Sequence, residues 1–456
     1  MSAATAAAFG IDAAIDAVHA ATALYTAEPV VEAILSESDW PANGGTLCDP
    51  SCGDGAFLAG AIRALIKAEP DIEAEVLCRR VQGWELHPRA AQEARSRVAK
   101  VLLERGGFTQ AESMAMRIVR QADFLLSGPD TPTYLSIVGN PPYLRYTKIA
   151  KELSGPYRAR LPGYACHDLA FSFLEKCARS LLKGGDCRLV TADRWLAAEG
   201  AMELRQRLGN RMSLTAVERL DASTAFYRPK YRVRGTPPRV HPVVVHLRAA
   251  DVATDFRLDG SAIYPGAGIT HTCGQTLGDM AQVKLAPWLG TRGVFLVDAA
   301  AANALPKGCT VPAVESGDYK KGKLEIGRYA LITDRDEPPA EILGHLDREL
   351  PRMCERGRRS PRWLPPEPWL EKFDLSKPSL MVARVARRLQ AIRIPPGVLP
   401  TNHCLVLSPR RGFEIDQVVE VVESDAAHEW IRLRAPRLED GYFGVPARLL
   451  RQLPAP

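Results

Sequence analysis

The chain has no close cysteine pairs. None of its ten cysteines (Cys48, Cys52, Cys78, Cys166, Cys177, Cys187, Cys273, Cys309, Cys354 and Cys404) forms a Cys-x-x-Cys pair. At 456 residues the chain is too long to need a disulfide scaffold, so reduced thiols are expected. Cys48 and Cys52 flank a tight turn with no histidine nearby, which leaves a zinc ion short of ligands; no metal is expected. The chain also lacks any apolar run of about 18 residues, so no membrane-spanning helix and no membrane partner are expected. Residues 1–23 are rich in alanine but carry Asp12 and Asp16 and no basic leader. That does not fit a signal peptide, and the cytoplasm is the expected location. Neither sign of charge dominates: 59 Lys and Arg face 53 Asp and Glu, for a formal net charge of +6. Such a balance permits an acidic partner without requiring one.

What is present is an ordinary globular composition, 46% hydrophobic and 25% charged, on a chain long enough for two or three domains. Helical spacing covers residues 10–37. Four short strands then end at chemically pointed residues: Thr46–Cys48 before Asp49, Val81–Glu85, a strand from Met116 to Val119 running out near Asp123, and Leu135–Val138 before Asn140. Helices are expected at about 56–68, 88–104 and 168–182, followed by a Gly184-Gly185 turn and strands at 187–191 and 243–247. Strands alternating with helices predict an α/β fold with a parallel, doubly wound sheet. In such sheets ligands bind beyond the carboxyl ends of the strands. After about residue 250 the alternation stops and short strands prevail, which predicts a separate α+β or mostly-β domain. The expected division is 1–250 and 251–456.

All four strand ends carry residues suited to a ligand. Asp49-Pro50-Ser51-Cys52-Gly53-Asp54-Gly55 is a glycine-bearing turn before a helix, where backbone passes close to a ligand. No Gly-Lys-Ser/Thr follows, so it is not a phosphate-binding P-loop. An aspartate at the strand end suits an ammonium group better than a pyrophosphate, which favours S-adenosylmethionine. Glu85 is placed to accept from ribose hydroxyls; otherwise it is a surface glutamate. Asp123-Phe124 offers an acceptor for an adenine amine and a ring to cover the base; the alternative is a helix N-cap. The most specific segment is Gly139-Asn140-Pro141-Pro142-Tyr143. Two prolines stiffen the backbone and remove two N–H donors. The Asn140 amide oxygen and the Pro141 carbonyl can then hold both hydrogens of an exocyclic amine, while Tyr143 offers a π face to a planar base.

With these motifs in this order, the chain resembles the γ-class, TaqI-like N6-adenine DNA methyltransferases. Tyr25-Thr26-Ala27-Glu28-Pro29 is similar to that family's N-terminal cofactor motif, which usually has Thr-Pro where this chain has Thr26-Ala27. Asp168–Glu175, Leu182–Gly185 and Val190–Trp195 match its later helix, turn and strand. The likeness covers about residues 20–248. Only fragments match beyond it: 378–394, 402–407 and 445–454. The resemblance implies a Rossmann-like class I methyltransferase domain with a mixed, mostly parallel seven-stranded sheet, followed by a DNA target-recognition domain. It implies S-adenosylmethionine as cofactor, held by Thr26, Asp49, Pro50, Cys52, Gly53, Gly55, Glu85, Asp123, Phe124 and Asn140. It implies transfer of a methyl group to an adenine flipped out of double-stranded DNA. Asn140, Pro141, Pro142 and Tyr143 form the catalytic turn, and Tyr143 and Phe226 stack on the base, with Tyr227 a close second to Phe226. Positioning dominates such a reaction, and no metal or strong general base is required.

Residues 222–250 contain no acidic side chain but include Arg228, Lys230 and Arg232. Six arginines lie within 348–362, and Arg384, Arg387 and Arg388 follow. A charge run is ordinarily a solvated face. Beside this resemblance, Arg228, Lys230, Arg232, Arg384, Arg387 and Arg388 are expected to bind DNA. The stretch 144–166 is expected to be a mobile loop over the pocket or an ordinary connection. The expected setting is restriction-modification or phage defence, with a separate endonuclease or defence subunit as a possible partner. The rival readings are an RNA or protein-glutamine methyltransferase using the same Asn-Pro-Pro-Tyr chemistry, and a non-catalytic DNA-binding subunit.

Overall fold

The computed structural model describes residues 3–227, 241–249, 258–264, 274–334, 336–436, 438 and 441–455; of residues 3–9 and 433 it describes the backbone alone. The chain forms two compact units, residues 1–269 and 270–456.

The first unit is built on seven strands: β2 (Leu47–Asp49), β3 (Val81–Glu85), β4 (Val119–Gln121), β5 (Tyr134–Gly139), β6 (Leu181–Ala192), β7 (Met212–Arg219) and β9 (Pro242–Ala249). Their spatial order is β4-β3-β2-β5-β6-β9-β7. Neighbours from β4 to β6 run parallel, and β9 runs antiparallel to both β6 and β7. A separate two-stranded ribbon pairs β1 (Tyr25–Thr26) with β8 (Phe226–Tyr227). Side chains of a strand alternate between faces, and each face has its own apolar cluster. Cys48, Ile137, Leu189, Val243 and Val245 point to one cluster, and Leu47, Val138, Val190 and Val244 to the other. Burial on both faces explains why these strands are continuously apolar instead of alternating with polar residues.

Helices cover both faces. α1 (Ala3–Thr22), α8 (Lys151–Arg160) and α9 (Leu169–Ser180) contribute to the first cluster, together with α10 (Arg194–Ala197) and α11 (Met202–Gly209). α2 (Glu28–Ser36), α3 (Ala56–Ala68), α4 (Ala74–Arg80), α5 (Pro88–Gly106) and α6 (Ala111–Ile118) contribute to the second. The strand order reverses between β2 and β5. That is the topological switch where a parallel sheet opens a crevice at its carboxyl edge.

Four expectations need correction. The helical reading of 10–37 is interrupted by β1, which leaves the helix pattern to pair with β8. The strand expected from Met116 to Val119 is the end of α6, and β4 begins at Val119. Ala111, Met114, Ala115 and Ile118 are the buried residues of α6, and this i, i+3, i+4, i+7 spacing is helical. Gly184-Gly185 is no free turn. It sits inside β6, where pairing with β5 jumps from Tyr134–Leu181 to Ser136–Asp186. Residues 144–166 are not a loop: they hold α8 between two single turns of 3-10 helix, Tyr146–Lys148 and Gly163–Ala165. Pro156 lies inside α8 and weakens the helical signal there.

The second unit holds two four-stranded sheets. In one, Ala281–Leu285, Cys404–Pro409, Ser379–Ala383 and Ile392–Ile394 pair antiparallel. In the other, Leu296–Asp298, Arg328–Leu331 and Thr310–Val314 pair antiparallel, and Leu399–Pro400 adds in parallel. With helices at Ala340–Glu349, Ile415–Glu423 and Asp425–Arg434 the unit is α+β.

Candidate active site

The carboxyl ends of β2, β3, β4 and β5 converge on a cavity with about 760 Å³ of empty space, part of it open to solvent. Its wall includes Pro50, Ser51 and Gly53 after β2, Glu85 to His87 after β3, Ala122 to Phe124 after β4, and Asn140 and Pro142 after β5. Helix α1 and the chain after it supply Ile15, Val18, His19 and Thr22 to Tyr25, while Tyr157, Leu169 and Phe173 complete the lining.

Glu85 is tied down at both oxygens. Oε1 accepts the His87 N–H at 2.8 Å and Oε2 the Gly53 N–H at 2.9 Å. Burial outweighs these bonds and raises its pKa to about 7. Gly53 and Gly55 take left-handed backbone conformations, at φ of 55° and 83°. A Cβ on Gly53 would lie 2.9 Å from the Tyr25 ring, and one on Gly55 would lie 2.9 Å from the Ala94 backbone, so glycine is the residue that fits both turns.

Asp123 takes the N-cap position posed for it from sequence. Oδ1 caps α7 (Phe124–Ser127), accepting from Leu125 and Leu126 N–H at 2.9 and 3.4 Å. Oδ2 accepts the Tyr157 hydroxyl at 2.8 Å, and both residues line the cavity. Burial pushes the Asp123 pKa up, partly offset by these donors. Phe124 is buried and stacks on Phe173, centroids 6.1 Å apart at 10°. Both line the cavity with Asp123.

The Asn140 turn is fixed by two hydrogen bonds. Its Nδ2 donates to the Leu24 carbonyl at 2.9 Å, and its Oδ1 accepts the Tyr143 hydroxyl at 2.5 Å. A donor at one end and an acceptor at the other settle which way the amide faces. Burial raises the Tyr143 pKa, so the phenol stays protonated and keeps donating. A Cβ on Gly139 would come within 2.6 Å of Asp49 Oδ1, so the backbone of the turn lies directly against Asp49.

Not every expected residue reaches the cavity. Asp49 is 1% exposed. It accepts the Ser51 N–H at 3.1 Å, and burial and the nearby Glu85 and Asp54 carboxylates raise its pKa; it stands behind the wall. Cys52 and Cys48 are buried thiols whose pKa values burial raises, an inert environment. Gly55 caps α3 outside the lining. Thr26 is buried, and its hydroxyl lacks a hydrogen-bond partner. Phe226 pairs with Thr26 and packs against the second apolar cluster, outside the cavity wall. Tyr227 donates to Asp54 and accepts from Arg97 at 3.1 Å. Arg228, Lys230 and Arg232 lie outside the described residues. In the second unit Arg384, Arg387 and Arg388 are exposed; Arg387 lies over Tyr442 at 4.8 Å, and Arg388 pairs with Asp425.

Phe173 and the α1 residues lining the cavity were given no role in the sequence analysis, although Phe173 lay within a segment matched to the family's helix. Tyr157 belongs to the stretch expected over the pocket, as part of a Pro156-Tyr157 turn and not of a helix. A convergence of Glu37, Glu218 and His246 also emerges. Arg188 approaches His246 Nδ1 at 3.0 Å and Glu37 at 3.3 Å, and a guanidinium among these groups makes them an ion-pair cluster. Among the described residues no helix is long and apolar enough to cross a membrane.

Residues 108–226 match the family of Eco57I restriction-modification methylases. The chain is 30% identical over 243 residues to the Type II methyltransferase M.XhoI of Xanthomonas vasicola, covering 48% of this chain and 44% of that protein. It is 31% identical over 217 residues to the Type II methyltransferase M.PaeR7I of Pseudomonas aeruginosa, covering 45% and 38%. The match thus spans less than half the length of these relatives. The fold is similar to that of the Type IIL restriction-modification enzyme MmeI, solved in complex with DNA, with a TM-score of 0.55 and 14% identity over 94% of this chain and 64% of that one.

Proposed function

We propose that the protein is a site-specific DNA methyltransferase that moves a methyl group from S-adenosylmethionine to the N6 amine of a flipped-out adenine. The single observation that carries this reading is the placement of Asn140 and Pro142 on the wall of the same cavity as Glu85 and Asp123. The seven-stranded order and the matches to Type II methyltransferases support it.

The cavity fits the cofactor by its chemistry. Glu85 would accept from the ribose hydroxyls. Asp123 would accept from the adenine amine, with Phe124 and Phe173 against the ring. The bound cofactor supplies an electrophilic methyl on a sulfonium. The protein's part is to position the acceptor: Asn140 Oδ1 and the Pro141 carbonyl hold the amine, and the Tyr143 ring stacks on the base. Alignment of this kind can carry a large share of the barrier, up to about 7–11 kcal/mol. Swinging the base out of the duplex costs a few kcal/mol, which stacking and the two acceptors offset.

The second unit is then the target-recognition part. Exposed Arg384 and Arg387, with Tyr442 exposed beside Arg387, suit contact with phosphates or base edges. The basic segment holding Arg228, Lys230 and Arg232 adds a second contact. Arg388, already paired with Asp425, is the weakest of these assignments. We place the enzyme in the cytoplasm, in a restriction-modification or defence setting, with an endonuclease or defence subunit as partner.

The test is transfer of a radiolabelled methyl group from S-adenosylmethionine to duplex DNA, followed by nucleoside analysis. The expected product is N6-methyldeoxyadenosine. Label on RNA or a protein glutamine, or on the cytosine N4 amine, would replace this reading with one of its rivals.

A further inference from the structure

Helix α8 lies between the Asn140 turn and α9, in a stretch to which no role attaches. Its Tyr157 is 4% exposed, lines the cavity, and donates its hydroxyl to Asp123 Oδ2 at 2.8 Å across 34 residues of sequence. Its ring meets the buried Tyr146 ring edge-on at 6.3 Å, and Arg158 lies over the Tyr146 ring at 5.1 Å. Tyr146 is itself fixed by a 2.7 Å hydrogen bond with Ser172 of α9. The phenol therefore reaches Asp123 from a braced platform rather than from a loose side chain.

The geometry points to Tyr157 as a positioning residue for cofactor adenine: it holds the Asp123 carboxylate so that Oδ2 keeps a lone pair turned toward the cavity. Three donors converge on this one carboxylate, two backbone N–H groups on Oδ1 and the phenol on Oδ2. An ionised carboxylate has about four acceptor sites, so Oδ2 retains room for the adenine amine. Oδ1 alone would leave the group free to pivot about its cap; the second anchor fixes the plane. This inference rests on the methyltransferase reading and deepens it, because it assigns selection of a 6-aminopurine over a 6-oxopurine to a side chain brought in by the α8 segment.

Calorimetry on the full chain tests it with two probes, S-adenosylmethionine and S-inosylmethionine, whose purine carries an oxo group in place of the amine. Tyr157→Phe keeps the ring and removes the anchor. It should weaken S-adenosylmethionine binding by about tenfold, the scale of a hydrogen bond to a charged group. Binding of the inosine-bearing analogue, weak already, should stay unchanged, so the preference for the amine falls by the same factor. An equal loss for both probes would mean that Tyr157 only supports the fold and would overturn the inference. So would no loss at all, or a gain, which would mean that the hydroxyl competes with adenine for Asp123. Failure of the unaltered chain to bind S-adenosylmethionine would instead reject the methyl-donor reading, and this inference with it.

Discussion

Replacing Glu85 with glutamine separates two effects that the carboxylate combines. In the protein each oxygen of Glu85 accepts one backbone N–H, from His87 and from Gly53, while burial lifts its pKa from 4.5 to about 7. A folded value above the unfolded one means that the charge costs stability. The cost is absent below the unfolded value, grows as pH rises, and is complete above pH 7, where it amounts to about 3 kcal/mol. Glutamine removes that cost. It also turns an NH₂ toward one of the two N–H donors and leaves that donor without an acceptor, a cost of about 1–3 kcal/mol. The two nearly cancel, so the melting temperature of the cofactor-free variant should stay within about 4 °C of the parent. Cofactor binding does not cancel. Two ribose hydroxyls lose their ionised acceptor, and S-adenosylmethionine should bind about 10- to 100-fold more weakly. Hydroxyl donors favour the ionised carboxylate, so affinity in the parent should rise with pH through about 7 and then level off; in the variant that rise should disappear. A thermal melt of the cofactor-free proteins reads the first, and titration calorimetry between about pH 6 and about pH 8 reads the other two. Unchanged affinity in Glu85→Gln, or the same pH dependence in both proteins, would refute the assignment.

Tyr143→Phe keeps the ring but deletes the hydroxyl that holds Asn140 Oδ1, so the rate of transfer should fall about two- to tenfold. Tyr143→Ala also loses the stacking face, and a further drop of about tenfold or more is expected; equal rates for the two variants would contradict a stacking role. Arg384→Ala with Arg387→Ala should weaken DNA binding and reduce the slope of log affinity against log salt by about two, with cofactor affinity unchanged. An unaltered slope would remove these arginines from the DNA-contacting surface.

Much of the sheet was legible because buried parallel strands leave short apolar runs that end at polar residues. Val81–Glu85 is the clearest case: its strand ends at the residue read from sequence as the acid. Leu47–Asp49 and Tyr134–Gly139 likewise stop at the Asp49 and Asn140 motifs. The reading failed where a local cue masked the period. Met116, more than half exposed, drew the strand reading onto a helix whose buried face is Ala111, Met114, Ala115 and Ile118. Pro156 hid α8, which forms because Leu153 and Tyr157 bury against the first cluster. The Tyr157–Asp123 bond and the support of Asn140 by the Leu24 carbonyl are contacts between segments far apart in sequence. No spacing rule reports such contacts. Phe226 shows the opposite limit: the resemblance implied a base-stacking ring, whereas its side chain packs against the second apolar cluster.

The central claim is that the Asn140 turn grips an adenine amine beside the cofactor cavity. The full chain and its Asn140→Ala variant, each expressed in cells lacking adenine methylation, test it most directly when N6-methyladenine is mapped by single-molecule sequencing. A defined methylated motif is expected with the parent and none with the variant, which should still bind S-adenosylmethionine. A genome free of N6-methyladenine under the parent, or equal methylation under both, would contradict it.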